Sequence, residues 1–403
     1  MSGRGRALAL VALSQMMAMS VWFTASAVAP RLQELWGLDA SQSGWLTTAV
    51  QLGFVAGTAT AAVLNLADLI PARAYVTACM LLAAVANAGL AVAPGPASAA
   101  WARAATGFFL AGVYPPAMKM LATWFATGRG LAIGTLVGAL TVGKAVPYLM
   151  RVADPVGHRQ LVLAASGLAV LGAVIIGTAY RDGPAPFPRH PFSWLRVQEV
   201  IAHRPTRLAI GGYLGHMWEL YAMWAWIPAF LAAGLRARGA SSGAQGPGAE
   251  AVADLTAFLA IAAGGAGCVW GGWQADRIGR EKLVNLAMAA SGACCLIIGL
   301  LFGAPLWQVA VVASVWGFFV VADSAQFSTL VTEVAPPHAV GTALTLQTSM
   351  GFLLTVATIQ LVPELSSTWG WQWAFAPLAL GPAFGIASIV RLQRARAREL
   401  VSR

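Results

Sequence analysis

Five ionisable side chains lie inside otherwise apolar runs, and they are the residues of this chain best suited to chemistry. Glu219 follows Arg207 by twelve residues, which places it ~18 Å into a helix at 1.5 Å per residue. His216 precedes it by three and shares its helical face, which Tyr213, Met223 and Trp226 continue. An ionised group at the middle of a membrane helix costs about 2.5–3.5 kcal/mol on insertion scales, so such groups are kept for ion or solute traffic. Low-dielectric walls favour the neutral form of a carboxyl group, which suits Glu219 as a proton carrier with His216 tuning it. Asp323 sits on a face with Trp316, Phe319 and Gln326, as a second proton site or a cation-binding acid. Lys144 shares a face with Thr141 and Tyr148, and Arg103 lies in another run; each can hold an anionic substrate group or pair with Glu219. The structural alternative in every case is a hydrogen bond or ion pair that merely joins two helices.

These residues need long helices around them, and the composition supplies them. Of 403 residues, 58% are hydrophobic and 10% charged, whereas soluble domains carry about 25% charge. The apolar residues come in blocks of about twenty, the length that crosses ~30 Å of hydrocarbon. Blocks fall near 7–29, 42–64, 74–93, 97–120, 129–150 and 160–180, then 208–232, 253–273, 283–303, 306–331, 338–362 and 371–391. Arg4, Arg6 and the run ending Ala27-Val28-Ala29 resemble a cleavable leader, but the run is long enough to span and reads as the first helix. The expected organisation is a six-helix half over 1–180, a Pro- and Arg-rich linker over 181–207, and a second six-helix half over 208–403 with a short basic tail. The segment Gly239 to Gly248 reads as a flexible insertion.

Charge placement orients the chain. With the N-terminus in the cytoplasm, 18 of the 25 Lys and Arg fall on the inner side and 5 on the outer, as the positive-inside rule requires. The net charge of +10 therefore reads as topology, with no nucleic-acid partner. Both termini are expected in the cytoplasm, the chain being multi-pass in the inner (plasma) membrane with the lipid bilayer as its partner. Cys79, Cys268, Cys294 and Cys295 lie inside apolar blocks without metal-ligand spacing. No Gly-rich phosphate loop, His-Glu-x-x-His, nucleophile elbow or Cys-x-x-Cys occurs, so the reading carries no cofactor, no metal and no enzyme activity.

The halves repeat one another. Gly107-Phe108-Phe109 returns as Gly317-Phe318-Phe319, and Asp68 as Asp276, at offsets of 210 and 208 residues; this points to duplication of a six-helix unit. Gly53 and Gly57, Gly130, Gly134 and Gly138, and Gly267 and Gly271 are spaced for close helix contact, and are read as bordering a sliding interface.

The loop Gly272-Trp-Gln-Ala-Asp276-Arg277-Ile-Gly279-Arg280-Glu-Lys282 resembles the cytoplasmic loop motif of the major facilitator superfamily. Arg103-Ala-Ala-Thr-Gly107 is similar to that superfamily's Arg-x-x-x-Gly motif, and Gly138 to Gly143 with Pro147 loosely matches its Gly/Pro-rich motif. The first-half loop keeps only Asp68 and Arg73, so the second-half loop would carry most of an inner gate. The resemblance implies an all-α membrane fold of twelve helices, two six-helix bundles rocking around a central cavity. Asp276 would then cap a neighbouring helix, with Arg277 and Arg280 bridging to acids of the opposing bundle. The superfamily's nitrate branch carries an Arg in helices two and eight; neither is present here. Secondary transport of a small solute, coupled to protons and leaning to uptake of a small organic anion, is the resulting expectation. Its alternatives are proton-driven efflux of amphipathic or cationic compounds and, in another class, a transporter-like sensor or scaffold.

Overall fold

The computed structural model describes residues 3–125, 129–153, 157–184, 194–242 and 248–401. The regular structure among them is entirely helical. The linker residues 185–193, the Gly-rich residues 243–247 and the side chain of Asp68 lie outside the described residues.

Among the described residues, eleven helices are long and apolar enough to cross a membrane. The block expected over 97–120 is the exception, because it is split into Pro96–Leu110 and Tyr114–Ala122. Pro115 and Pro116 cause the split: neither has an N–H for the carbonyl four residues back. The chain turns there through Gly112 N–H to Phe109 and Val113 N–H to Leu110, both at 3.0 Å. The two pieces together form the fourth of twelve segments. The first segment is also broken, into Gly3–Met19 and Thr24–Trp36, and the tenth into Leu306–Ala322 and Ser324–Val334, with Asp323 at the break. The remaining segments are Ala40–Val63, Ala72–Ala88, Arg129–Ala153 and His158–Ala179 in the first half. Those of the second half are Arg204–Ser242, Ala249–Ile278, Arg280–Ile298, Val340–Thr368 and Leu380–Val401. The seventh segment starts inside the stretch expected to be linker and outruns the block 208–232, since hydropathy discounts the arginines near its ends. Trp194–Ala202 folds into a separate short helix ahead of it.

The duplication is visible in the packing. In the first half the second segment meets the fourth, the third the sixth, and the first both the fifth and sixth; in the second half the eighth meets the tenth, the ninth the twelfth, and the seventh both the eleventh and twelfth. Glycines sit at equivalent places in this pattern. A Cβ on Gly57 would lie 2.2 Å from the Phe108 carbonyl oxygen, and one on Gly267 lies 2.1 Å from that of Phe318. One on Gly107 would lie 2.0 Å from the Val50 oxygen, and one on Gly317 lies 1.7 Å from that of Ala260. Every residue in the second set is 210 positions after its counterpart. These glycines join helices within a half, which corrects the expectation that Gly53, Gly57, Gly267 and Gly271 border a sliding interface: Gly53 abuts Ala104 and Gly271 abuts Ala322, again inside one half.

Two helix pairs make most of the seam between halves among the described residues, the second with the eleventh and the fifth with the eighth, and the fifth also meets Ser324–Val334 of the tenth. Here Gly134 and Gly138 of the fifth do face the other half, with Cβ positions 3.0 Å from the Cys268 oxygen and 2.8 Å from the Gly265 oxygen.

Candidate functional site

Lys144 projects from the fifth segment into the seam and is almost wholly buried. Its Nζ lies 4.2 Å from the Trp22 ring centre, 4.5 Å from Tyr221 and 4.9 Å from Trp224, and it donates a hydrogen bond to the Tyr221 hydroxyl. Trp22 comes from the first half and Tyr221 and Trp224 from the seventh segment, so the cage is completed across the seam. Phe54 and Phe352 meet beside it at 4.4 Å, and Trp22 touches both, at 5.2 and 5.7 Å. Cation–π contacts are worth about 0.5–2 kcal/mol each and steady the ammonium without neutralising it. Among the described residues no carboxylate lies within 4.0 Å of Lys144. Tyr148, one turn along the same face, is fully buried and its hydroxyl makes no aligned hydrogen bond among the described residues.

The acids are engaged elsewhere. Glu219 points into the second half, where its carboxylate accepts from Ser291 Oγ at 2.9 Å, Cys295 Sγ at 3.1 Å and Trp316 Nε1 at 2.5 Å. His216 does not pair with Glu219, as its spacing suggested. Its Nδ1 lies 2.9 Å from Asp323 Oδ1 and its Nε2 3.0 Å from Ser324 Oγ. The reason is the break in the tenth segment: the residues at that break turn toward the seventh, and the ring fills the gap. Both acids thus tie the seventh segment to the tenth, with no Lys or Arg among their described ion-pair partners.

Arg103 is fully buried and committed to the protein. It donates to Asn87 Oδ1 at 2.5 Å and to the carbonyl of Trp22. That carbonyl belongs to the non-helical stretch Ser20 to Phe23 and has lost its helical partner. Arg103 therefore meets neither Lys144's cage as a ligand nor Glu219 as a counter-ion; it braces the backbone that presents Trp22.

The loop motif lies at the end of the bundle that carries both termini. Asp276 sits beside Gly130 at the N-terminus of the fifth segment, its carboxylate oxygens 3.8 and 3.9 Å from a Cβ placed there, where the helix dipole favours an anion. A Cβ on Gly272 would lie 3.2 Å from the Gly130 oxygen. Gly279 has φ +90° between two helices, a conformation strained for any side chain. Arg280 does not cross to the opposing bundle: Nε meets Glu333 at 2.7 Å and Nη1 meets Gln326 at 3.0 Å, both in its own half. Arg277 stacks on Trp273, 3.6 Å from the ring centre. The loop lies against the end of the tenth segment, whose Glu333 is the nearer acid. Arg73 donates to the Tyr180 carbonyl at 3.4 Å, pinning the end of the sixth segment.

One site escaped the sequence reading. At the opposite end of the seam Arg151 pairs with Asp254 at 3.2 Å and Glu250 at 3.6 Å of the eighth segment, and donates to the Ala27 carbonyl. It lines a cavity of about 220 Å³ between the halves with Ser26, Thr47, Trp226 and Asp254. Arg151 lies seven residues after Lys144, on the same helical face; an acid just inside the start of the eighth block was the available signal.

The sequence profile of the Major Facilitator Superfamily matches residues 11–248 and 243–402. The fold is shared with a bacterial homologue of the human lysosomal transporter Spinster in its inward-facing, unoccupied conformation, at a TM-score of 0.69 and 14% identity over 98% of this chain and 96% of that one. The occupied form of that homologue gives the same score, with 98% and 97% covered at 14% identity. A variant of the nucleoside transporter NupG superposes with a TM-score of 0.71 at 12% identity, over 97% of this chain and 100% of that one. No curated protein sequence is close enough to count as a relative.

Proposed function

This chain belongs to the major facilitator superfamily, a family of secondary transporters, and from that premise we propose that it takes up a small organic anion together with protons by alternating access. The observation that carries the reading is Lys144: a buried ammonium on the seam, ringed by side chains of both halves and lacking an acidic partner among the described residues. A buried charge of this kind is costly in hydrocarbon. A substrate carboxylate entering from one side supplies the missing partner, and closure of the cage around it joins the halves.

Proton coupling is assigned to the second half. Glu219 as a carboxylate accepts three hydrogen bonds; once protonated it gives up an acceptor site, so a proton loosens the tie between the seventh segment and its neighbours. His216 and Asp323 form a second tie of the same kind one turn away. The seventh segment also carries Tyr221 and Trp224, so one rigid helix links the proton sites to the cage. Asp276, a loop residue that meets the other half, serves as the inner gate, with Arg277, Arg280 and, near Asp68, Arg73 bracing its surroundings from within their own halves. The basic side of the bundle is placed in the cytoplasm with both termini, in the inner (plasma) membrane. The domain limits are those of the helices, with the linker between the sixth and seventh segments.

A second reading rests on the same rings, because an aromatic cage also attracts an amphipathic substrate cation, and would make the chain a proton-driven exporter. The test is uptake into proteoliposomes under an imposed pH gradient, with labelled organic anions and cations side by side. Anion accumulation that follows the gradient and is lost in Glu219→Gln is expected. Gradient-driven accumulation retained in Glu219→Gln would remove that residue from the proton path, and cation extrusion in place of anion uptake would favour the second reading.

A further inference from the structure

We propose that the transported anion is an arene monocarboxylate and that Trp22 and Trp224 select it through their indole N–H groups. This rests on the anion reading above and deepens it. Both indole nitrogens are buried and have no hydrogen-bond partner among the described residues, and both rings touch the Lys144 ammonium. Buried N–H groups without partners are rare in folded proteins. Here two of them accompany a cation whose one hydrogen bond among the described residues is to a phenol oxygen. The cage is thus rich in donors and poor in acceptors. An ionised carboxylate is the complement, since it accepts at two oxygens and donates nothing.

Charge number and shape narrow the class further. The other buried base nearby, Arg103, is turned to Asn87 and the Trp22 carbonyl, which leaves Lys144 as the one cation lying against the cage rings among the described residues and suits a monoanion. The walls are aromatic: Phe54 faces Phe352 across the seam at 4.4 Å, and Tyr221 meets Phe352 at 5.1 Å. Opening the seam parts Phe54 from Phe352. A flat ring slotted between them restores aromatic contact on both faces, and an aliphatic body of equal size does not.

The experiment is calorimetric titration of the purified full-length chain with benzoate, cyclohexanecarboxylate, phthalate and benzyltrimethylammonium. Benzoate is expected to bind at least tenfold tighter than cyclohexanecarboxylate or phthalate. Trp224→Phe and Trp22→Phe keep a ring and remove the N–H; each is expected to weaken both monocarboxylates roughly ten- to hundredfold, with benzyltrimethylammonium binding neither the wild type nor the variants. Two separate variants are used because Trp22 sits on the braced stretch that Arg103 holds, whereas Trp224 is in regular helix. Equal binding of benzoate and cyclohexanecarboxylate, or unchanged benzoate affinity in both variants, overturns this inference while Lys144→Gln still abolishing carboxylate binding leaves the anion reading intact. Binding of benzyltrimethylammonium but of neither monocarboxylate, or of no probe at all, overturns it as well, and the former result overturns the anion reading too.

Discussion

Lys144 and Arg103 are both buried cations near one another in the first half, yet their surroundings assign them opposite roles. Arg103 completes a network: deleting it leaves the Trp22 carbonyl and the Asn87 amide oxygen buried and unpaired. Arg103→Ala should destabilise the protein by about 2–6 kcal/mol, about 1–3 for each acceptor left unpaired, seen as a large fall in melting temperature in detergent. Lys144 has no acid partner to abandon among the described residues, so Lys144→Met should melt at or above the wild-type temperature while losing anion binding. A melting temperature lowered as much as in Arg103→Ala would make Lys144 a structural residue. The sequence separated these two only in part. It marked both as buried charges from their place in apolar blocks, but partners from the first, third and seventh segments decide their roles, and no local spacing encodes those. The same limit explains His216, whose helical register with Glu219 was legible while its meeting with Asp323 depended on a break in another helix.

At the scale of helices, hydropathy located nearly all the segments because a bilayer imposes a length. Its misreadings have local causes: prolines split the fourth segment, and terminal arginines hid both ends of the seventh. The Gly-Phe-Phe repeat was legible as well, and its offset of 210 holds for the contacting glycines. Which glycines face the partner half was not legible, since small residues suit a fixed contact and a sliding one alike. Gly57→Ala and Gly267→Ala should each destabilise by about 1–3 kcal/mol, as their Cβ atoms would strike backbone at 2.2 and 2.1 Å. Gly130→Ala, with 3.8 Å of room, should leave the melting temperature unchanged. Equal effects at all three positions would contradict the assignment of the first two to tight contacts inside each half.

For the whole molecule, the seam is held at three levels: Asp276 by the N-terminus of the fifth segment, the aromatic cage at the middle, and Arg151 with Asp254 at the far end. The last pair is sheltered from solvent, the Arg151 and Asp254 side chains being 22% and 6% exposed, so Arg151→Gln should favour opening of that end. Labelling of Thr47→Cys by a membrane-impermeant maleimide is expected to rise several-fold in the Arg151→Gln background, and an unchanged rate would mean that the pair does not restrain the seam. The claim on which the rest depends is that Lys144 anchors the travelling anion at the middle level. The most direct measurement is the initial rate of gradient-driven uptake of a labelled organic monocarboxylate into proteoliposomes holding wild type or Lys144→Gln at equal density. The account predicts rapid, protonophore-sensitive uptake by wild type and none above empty vesicles for Lys144→Gln; equal rates in the two would contradict it.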